Sequence, residues 1–259
     1  MRLAGTVAVV TGATGGIGAA VVSALRESGV HVSTADRTGE VDHHFDVTDI
    51  SATRRALAEV AASHSRLDIV VAASGIAAIG LAEEIDDDEW RREVEVNLLG
   101  ALNTVRAGYD LLRMRGAGHL VAIASLAGVV PTPLLVPYAA SKAGLVHAMQ
   151  GLRLEAARHG VGVSAICPGP VDTPLLAATG VAGGSAGMSA RRFLTRAAGR
   201  AIAPERVGAA VVTAVTRNRA IVAPGAARFL HLGARLNPRV AAAVMGRAMK
   251  RELAASASR

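Results

Sequence analysis

The chain has 259 residues, enough for one large α/β domain, and its 51% hydrophobic content must be packed almost without rings, since aromatics are only 2%. That scarcity leaves little to stack on bases and, with no recognisable nucleic-acid motif, excludes a nucleic-acid partner. The formal net charge of +7 is unevenly spread: residues 1–172 hold 14 basic and 19 acidic side chains, residues 173–259 hold 14 and 2.

The first strand, within 6–11, begins almost at once, so no leader is expected; no apolar run reaches the ~18 residues of a membrane span. Strand-like runs follow at 30–35, 43–47, 68–73, 119–124 and 161–167, alternating with helical patterns at 16–28, 51–62, 89–107 and 138–159. This rhythm predicts βαβ units and a Rossmann-type, doubly wound parallel sheet, with no linker or repeat to divide residues 1–259 into more than one domain. The lone Cys167, in apolar "GVSAICPG", excludes an internal disulfide, fits a reducing cytoplasmic setting and reads as a buried structural thiol. No metal site is expected.

After Thr173 the pattern loosens. "GVAGGSAG" at 180–187 is expected to be mobile, and a basic helix, "MSARRFLTRAAGR", follows it. A helix at 204–215, a last strand at 219–224 and a C-terminal helical extension over 226–257, with segments at 227–236 and 238–253, complete the reading. The extra segments mix apolar residues with Arg228, Arg235, Arg239, Arg247 and Arg251; self-packing or subunit contact is the favoured reading, and an anionic membrane surface is the alternative.

"TGATGGIG" (11–18) joins the first strand to the first helix. Gly12 permits a tight turn, while Gly16 and Gly18 permit close backbone approach to a pyrophosphate at the helix N-terminus. Thr14 and Ile17 lie within the same loop. Asp36, 24 residues after Gly12, can accept from adenosine ribose hydroxyls and repels a 2′-phosphate; neighbouring Arg37 argues the other way. NAD is therefore favoured over NADP. In "FDVTD", Asp46, followed by Val47, reads equally well as an acceptor from adenine and as a helix-terminal acid or cap.

Tyr138 and Lys142 stand four residues apart in "PYAASKAG", in a chain with two tyrosines and two lysines against 26 arginines. On one helix face, an ammonium beside a phenol favours the phenolate and should lower its pKa from ~10 toward the working pH. The phenol can then exchange a proton with an alcohol or alkoxide oxygen. Ser125 closes a predicted strand in "VAIASLAG", where a hydroxyl can hold a substrate carbonyl or simply serve a turn. Asn97 in "VNLLG" reads by itself as a polar residue interrupting a helix.

Together these segments, with "PGPVDTP" (168–174), resemble the short-chain dehydrogenase/reductase family in its shorter single-domain branch. The resemblance implies an oxidoreductase passing hydride between a nicotinamide and a secondary alcohol or ketone. It implies Tyr138 as acid/base, Lys142 on the nicotinamide ribose, Ser125 on the substrate oxygen and Asn97 in a water-mediated proton relay. It further implies Pro168, Gly169, Val171 and Thr173 along the nicotinamide, and commonly a homodimer or homotetramer. One piece departs from the family: where Asn-Asn-Ala-Gly is usual, this chain has Ala72, Ala73, Ser74 and Gly75, which puts local stability or cofactor affinity in doubt. A non-catalytic NAD(P)-binding sensor or scaffold is the alternative function, opposed by the intact Asn97, Ser125, Tyr138 and Lys142 set. A dehydratase or epimerase is disfavoured by length and glycine spacing. The segment 174–200 is expected to form a substrate lid; its apolar part suits a lipophilic substrate, while Arg191, Arg192, Arg196 and Arg200 would equally suit a phosphate- or CoA-bearing one.

Overall fold

The computed structural model describes residues 1–178, 180–181 and 189–257, so most of the expected mobile stretch lies outside the described residues. Seven parallel strands form the main sheet: β1 (Val7–Thr11), β2 (His31–Asp36), β3 (His43–His44), β4 (Ile69–Ala72), β6 (Gly118–Ile123), β7 (Val161–Ile166) and β9 (Ile221–Val222). Their spatial order is β3-β2-β1-β4-β6-β7-β9, with the order reversing between β1 and β4. Ala8 pairs with both Val32 and Ile69 across that junction. The Val- and Ile-rich inner strands are buried on both faces, as a parallel sheet covered by helices requires.

Helices α1 (Gly16–Glu27) and α8 (Glu205–Arg217) cover one face through Val21, Leu25, Val207 and Val211. Helices α2 (Ile50–Ser63), α4 (Ala101–Arg115) and α5 (Val136–Ala156) cover the other through Leu57, Val105, Leu112 and Leu145. The predicted strands at 43–47 and 219–224 shrink to two residues each, because they pair only along short edges, Ala35 with His43 and Ala165 with Ile221 at their starts.

The expected helix at 89–107 is three segments: α3 (Asp87–Val94), a π-helical stretch over Glu95–Gly100, and α4. The wider turn carries Asn97, and π-bulges of this kind re-aim a side chain that a regular helix would place elsewhere.

A third apolar cluster lies above the carboxyl ends of the strands. It joins Ile79 of β5 (Ala78–Ile79), which pairs with β8 (Gly180–Val181), to Leu134 and Leu135. Helix α6 (Pro174–Ala178) leads into this region, and Phe193 of α7 (Ala190–Ala198) is fully buried in the cluster. Helices α9 (Ala227–Leu236) and α10 (Pro238–Ala257) fold back over it, burying Ala234, Ala241 and Met245. The inner faces of the C-terminal helices thus pack on their own chain. Among the described residues no helix is long and apolar enough to cross a membrane.

Candidate active site

Two adjoining cavities open at the carboxyl ends of the strands, where the strand order reverses. One is lined by Gly12, Thr14, Asp36, Arg37, Asp46, Val47, Ala73 and Ser74. The other carries Gly16, Ile17, Gly18, Ser125, Tyr138, Lys142, Pro168, Gly169, Val171 and Thr173. Gly75 lines both. Of the expected site residues, Asn97 alone lines neither.

The loop between β1 and α1 is held by close backbone packing. Gly12 has φ +68°, and a Cβ there would lie 2.6 Å from the Ser74 amide nitrogen; a Cβ on Gly18 would lie 1.9 Å from the Gly12 carbonyl oxygen. Gly15 stands at the N-cap of α1 and offers no side-chain cap, whereas Asp49 caps α2 and Asp86 caps α3. The first amides of α1 are thus left for an anion, a cradle that fits a dinucleotide pyrophosphate.

Asp36 sits at the end of β2 and faces this loop. Its Oδ2 accepts from Thr14 N at 3.1 Å and from Thr14 Oγ1 at 2.6 Å, and its Oδ1 accepts from Arg37 N at 2.7 Å. Arg37 Nη1 lies 3.7 Å from Asp46 Oδ2. Asp46 Oδ1 accepts from the Thr48 amide and hydroxyl at 2.9 and 2.8 Å, which holds its carboxyl below the usual range. Asp46 thus holds the turn before α2 while lining the cavity, and the cap of that helix is Asp49.

The departure at Ala72–Gly75 is bridged by other groups. Ala73 N donates to Thr11 O at 3.2 Å, tying the end of β4 to β1. Asn97, fully buried, accepts from Ile76 N at 2.8 Å and donates to Ile76 O at 2.9 Å. The side chain expected in a proton relay clamps the loop after β4.

At the floor of the second cavity, Tyr138 and Lys142 extend from α5, as their spacing predicts. Lys142 is nearly fully buried; its Nζ donates to Ile123 O at 3.1 Å and lies 5.7 Å from the Tyr138 ring centroid. Burial draws the ammonium down to about 8, with the carboxyl of Glu93 and the Cys167 thiol pulling the other way. The phenol of Tyr138 differs from expectation: burial pushes it up to about 12, opposed by the neighbouring Ser125 hydroxyl and raised further by Glu93. Desolvation of the ring outweighs any help from the lysine in the chain itself. Ser125 Oγ accepts from Ala127 N at 3.1 Å, a turn bond, and the residue also lines the cavity. Cys167 is buried and its thiol pushed up to about 12, first by burial, the character of a structural thiol.

Two acids escaped the sequence reading. Glu93 is fully buried on α3, one turn before Asn97; its Oε1 accepts from the Ala78 amide, while Oε2 has no partner among the described residues. Burial pushes this carboxyl up to about 7, with the Ala78 amide and Lys142 pulling down and Glu89 pushing up. The i,i+4 spacing of Glu93 and Asn97 was the available signal. Glu252, fully buried on α10, accepts from Arg192 Nε at 2.9 Å and Arg196 Nη1 at 2.9 Å. No local pattern links residues some 60 positions apart.

The upper wall of the second cavity is apolar: Leu135, Leu175, Leu176, Leu194, Ala198 and Met245. Lys142 is the one charged residue among those lining it, and none of Arg191, Arg192, Arg196 or Arg200 does so. Arg191 pairs with Asp172 at 3.0 Å, Arg192 and Arg196 with Glu252. Internal carboxylates account for three of the four arginines that had suggested a phosphate- or CoA-bearing substrate.

Residues 6–182 match the short chain dehydrogenase family. The chain belongs to it. Among curated relatives of this short-chain dehydrogenase, the D-beta-hydroxybutyrate dehydrogenase of Rhizobium meliloti (strain 1021) is 32% identical over 187 residues, 65% of this chain and 72% of that protein. The glycine betaine reductase ATRR of Emericella nidulans is 37% identical over 190 residues, 67% of this chain but only 15% of that much longer protein. Among solved structures, gox2181 superposes with a TM-score of 0.73 at 28% identity, covering 87% of this chain and 96% of that one. The 3-ketoacyl-(acyl-carrier-protein) reductase of Brucella melitensis, complexed with NADH, superposes at 0.75 over 85% and 97% of the two chains; at 23% identity it speaks for the fold alone. A short-chain dehydrogenase uses NAD(P), and the uncapped α1 terminus with its glycine cradle fits that group.

Proposed function

We propose that residues 1–259 act as one NAD-preferring dehydrogenase domain that interconverts a lipophilic secondary alcohol and its ketone, with Tyr138 as acid/base. The observation that carries this reading is the placement of Tyr138, Ser125 and Lys142 at the floor of an apolar cavity continuous with the glycine-lined groove. When bound, the nicotinamide supplies or accepts the hydride.

The chain's own residues handle the oxygen and its proton. A phenol held at about 12 is protonated at neutral pH, so Tyr138 stands ready to donate to a carbonyl oxygen that gains negative charge. Ser125, whose hydroxyl lies beside that phenol, offers it to the same oxygen. The buried Lys142 ammonium stabilises the phenolate left behind, and its position also suits a ribose hydroxyl. Asn97 acts by fixing Ile76 and, through it, the loop that carries Gly75. In the adenosine groove, Asp36 disfavours a 2′-phosphate, and Arg37, set against Asp46, is drawn away from one.

The apolar wall supports an uncharged substrate over a small hydroxy acid, because a carboxylate there would lack a cationic partner other than Lys142. The test is a panel of apolar and charged secondary alcohols and ketones with NAD(H) and NADP(H), read by nicotinamide absorbance. Apolar members should turn over with NAD(H), and Tyr138→Phe should lose about 10²–10⁴-fold in kcat while dinucleotide affinity stays unchanged. An undiminished Tyr138→Phe rate overturns the proton role. Tight NADH binding without turnover of any panel member overturns the enzyme reading in favour of a sensor.

A further inference from the structure

The outer side of the C-terminal helices is apolar where water should favour polar groups. On α9, Phe229, Leu232 and Leu236 are 64%, 55% and 78% exposed. Their i, i+3, i+7 spacing puts them on one stripe, on the opposite side of the helix from the buried Ala227 and Ala234. The stripe continues onto α10 with exposed Val240 and Val244, whose helix buries Ala241, Met245 and Ala248 on its inner side. Both helices therefore have an apolar inner face against their own chain and a second apolar face with no partner among the described residues.

Arginines border that second face. Arg228 and Arg235 flank the stripe on α9, with the Arg228 guanidinium 4.6 Å from the Phe229 ring centroid. On α10, Arg239 stands beside Val240, while Arg247 and Arg251, seven residues after Val240 and Val244, follow the stripe on the same face two turns on. Among the described residues none of the five has a carboxylate partner, and the only acid on either helix, Glu252, is fully buried.

We propose that this face docks on an anionic lipid bilayer, with α9 and the start of α10 lying in the interface and the arginines among the headgroups. Apolar residues at the centre with basic residues at the rim are what such a surface selects. A two-fold contact with a second copy would bring five unpaired arginines against five, without a carboxylate to relieve the repulsion. A phosphate backbone would leave Phe229, Leu232 and Leu236 without apolar partners. The inner side of α10 supplies Met245 to the apolar cavity, so docking would bring that cavity close to the phase in which a lipophilic compound is most concentrated.

The test is co-sedimentation of the full chain with vesicles of phosphatidylcholine alone and of phosphatidylcholine with phosphatidylglycerol. It reads binding, so its outcome is independent of whether any alcohol is turned over. Binding to the anionic vesicles at about 0.1 M salt, and its loss on raising salt several-fold, is expected. The triple variant Phe229→Ser, Leu232→Ser, Leu236→Ser should bind at least about tenfold more weakly. Arg228→Gln, Arg235→Gln and Arg239→Gln should each lower affinity about fivefold. All these positions are exposed, and unchanged melting temperatures verify that the fold is intact. Failure of the wild type to sediment with anionic vesicles, or equal sedimentation of the variants, overturns the proposal. So does a wild-type oligomer that the serine variant dissociates without any vesicle binding, which assigns the face to a second copy.

Discussion

Glu252 receives Arg192 and Arg196 from α7 on a carboxylate with no exposed surface, so the last helix is latched to the helix that walls the cavity. Met245 lines the cavity two turns earlier on the same helix. Replacing Glu252 by Ala removes the acceptor and leaves guanidinium groups that can still reach water, so the expected loss is about 2 kcal/mol rather than that of a wholly buried pair. Calorimetry should show a melting point lower by several degrees. KM for apolar substrates should rise more than kcat falls, because the change touches the wall and leaves Tyr138 in place. An unaltered melting temperature would show that the latch contributes nothing.

Glu93 makes stability pH-dependent in a direction opposite to that of an ordinary surface carboxylate. Its folded-state value of about 7 lies above the ordinary 4.5. Between those values the folded chain holds a proton that the unfolded chain has released, so stability falls as pH rises through the window and is fully present below it. Glu93→Gln keeps an acceptor for the Ala78 amide but cannot ionise. The wild type should lose about 2–3 kcal/mol between pH 5 and pH 8 relative to this variant in urea unfolding. Parallel pH profiles for the two proteins would refute the burial argument. The facing groups on neighbouring elements are Lys142 and Tyr138, with Glu89 on the same helix. The variant should therefore also shift the pH dependence of turnover.

The charge of Asp36 is expected to set the preference between the two dinucleotides. Asp36→Ala removes the carboxylate that opposes a 2′-phosphate and frees the Thr14 amide and hydroxyl as donors to it. The ratio of kcat/KM for NADP to that for NAD should rise by at least about tenfold, roughly the effect of one charged contact. Steady-state kinetics with both cofactors would settle it, and an unchanged ratio assigns selectivity elsewhere.

Much of this molecule is readable from local pattern. Valine-rich runs alternating with helical periods announce a parallel sheet, and a glycine loop between strand and helix announces an anion cradle. Tyr138 and Lys142 share a helix face because four residues are just over one turn. These features depend on neighbours in the chain, so spacing alone carries them.

What tertiary structure decided are the quantities that depend on burial and on distant partners. Asn97 could not be known as the clamp on Ile76 until the π-turn aimed it there, 21 positions from its partner. The phenol of Tyr138 moves upward rather than downward because desolvation is set by everything packed around the ring. The arginines of α7 read as a substrate's counter-ions in sequence, and the fold assigns two of them to a buried glutamate 60 and 56 positions further on. Charge and periodicity are written residue by residue, whereas dielectric environment and pairing belong to the assembled core.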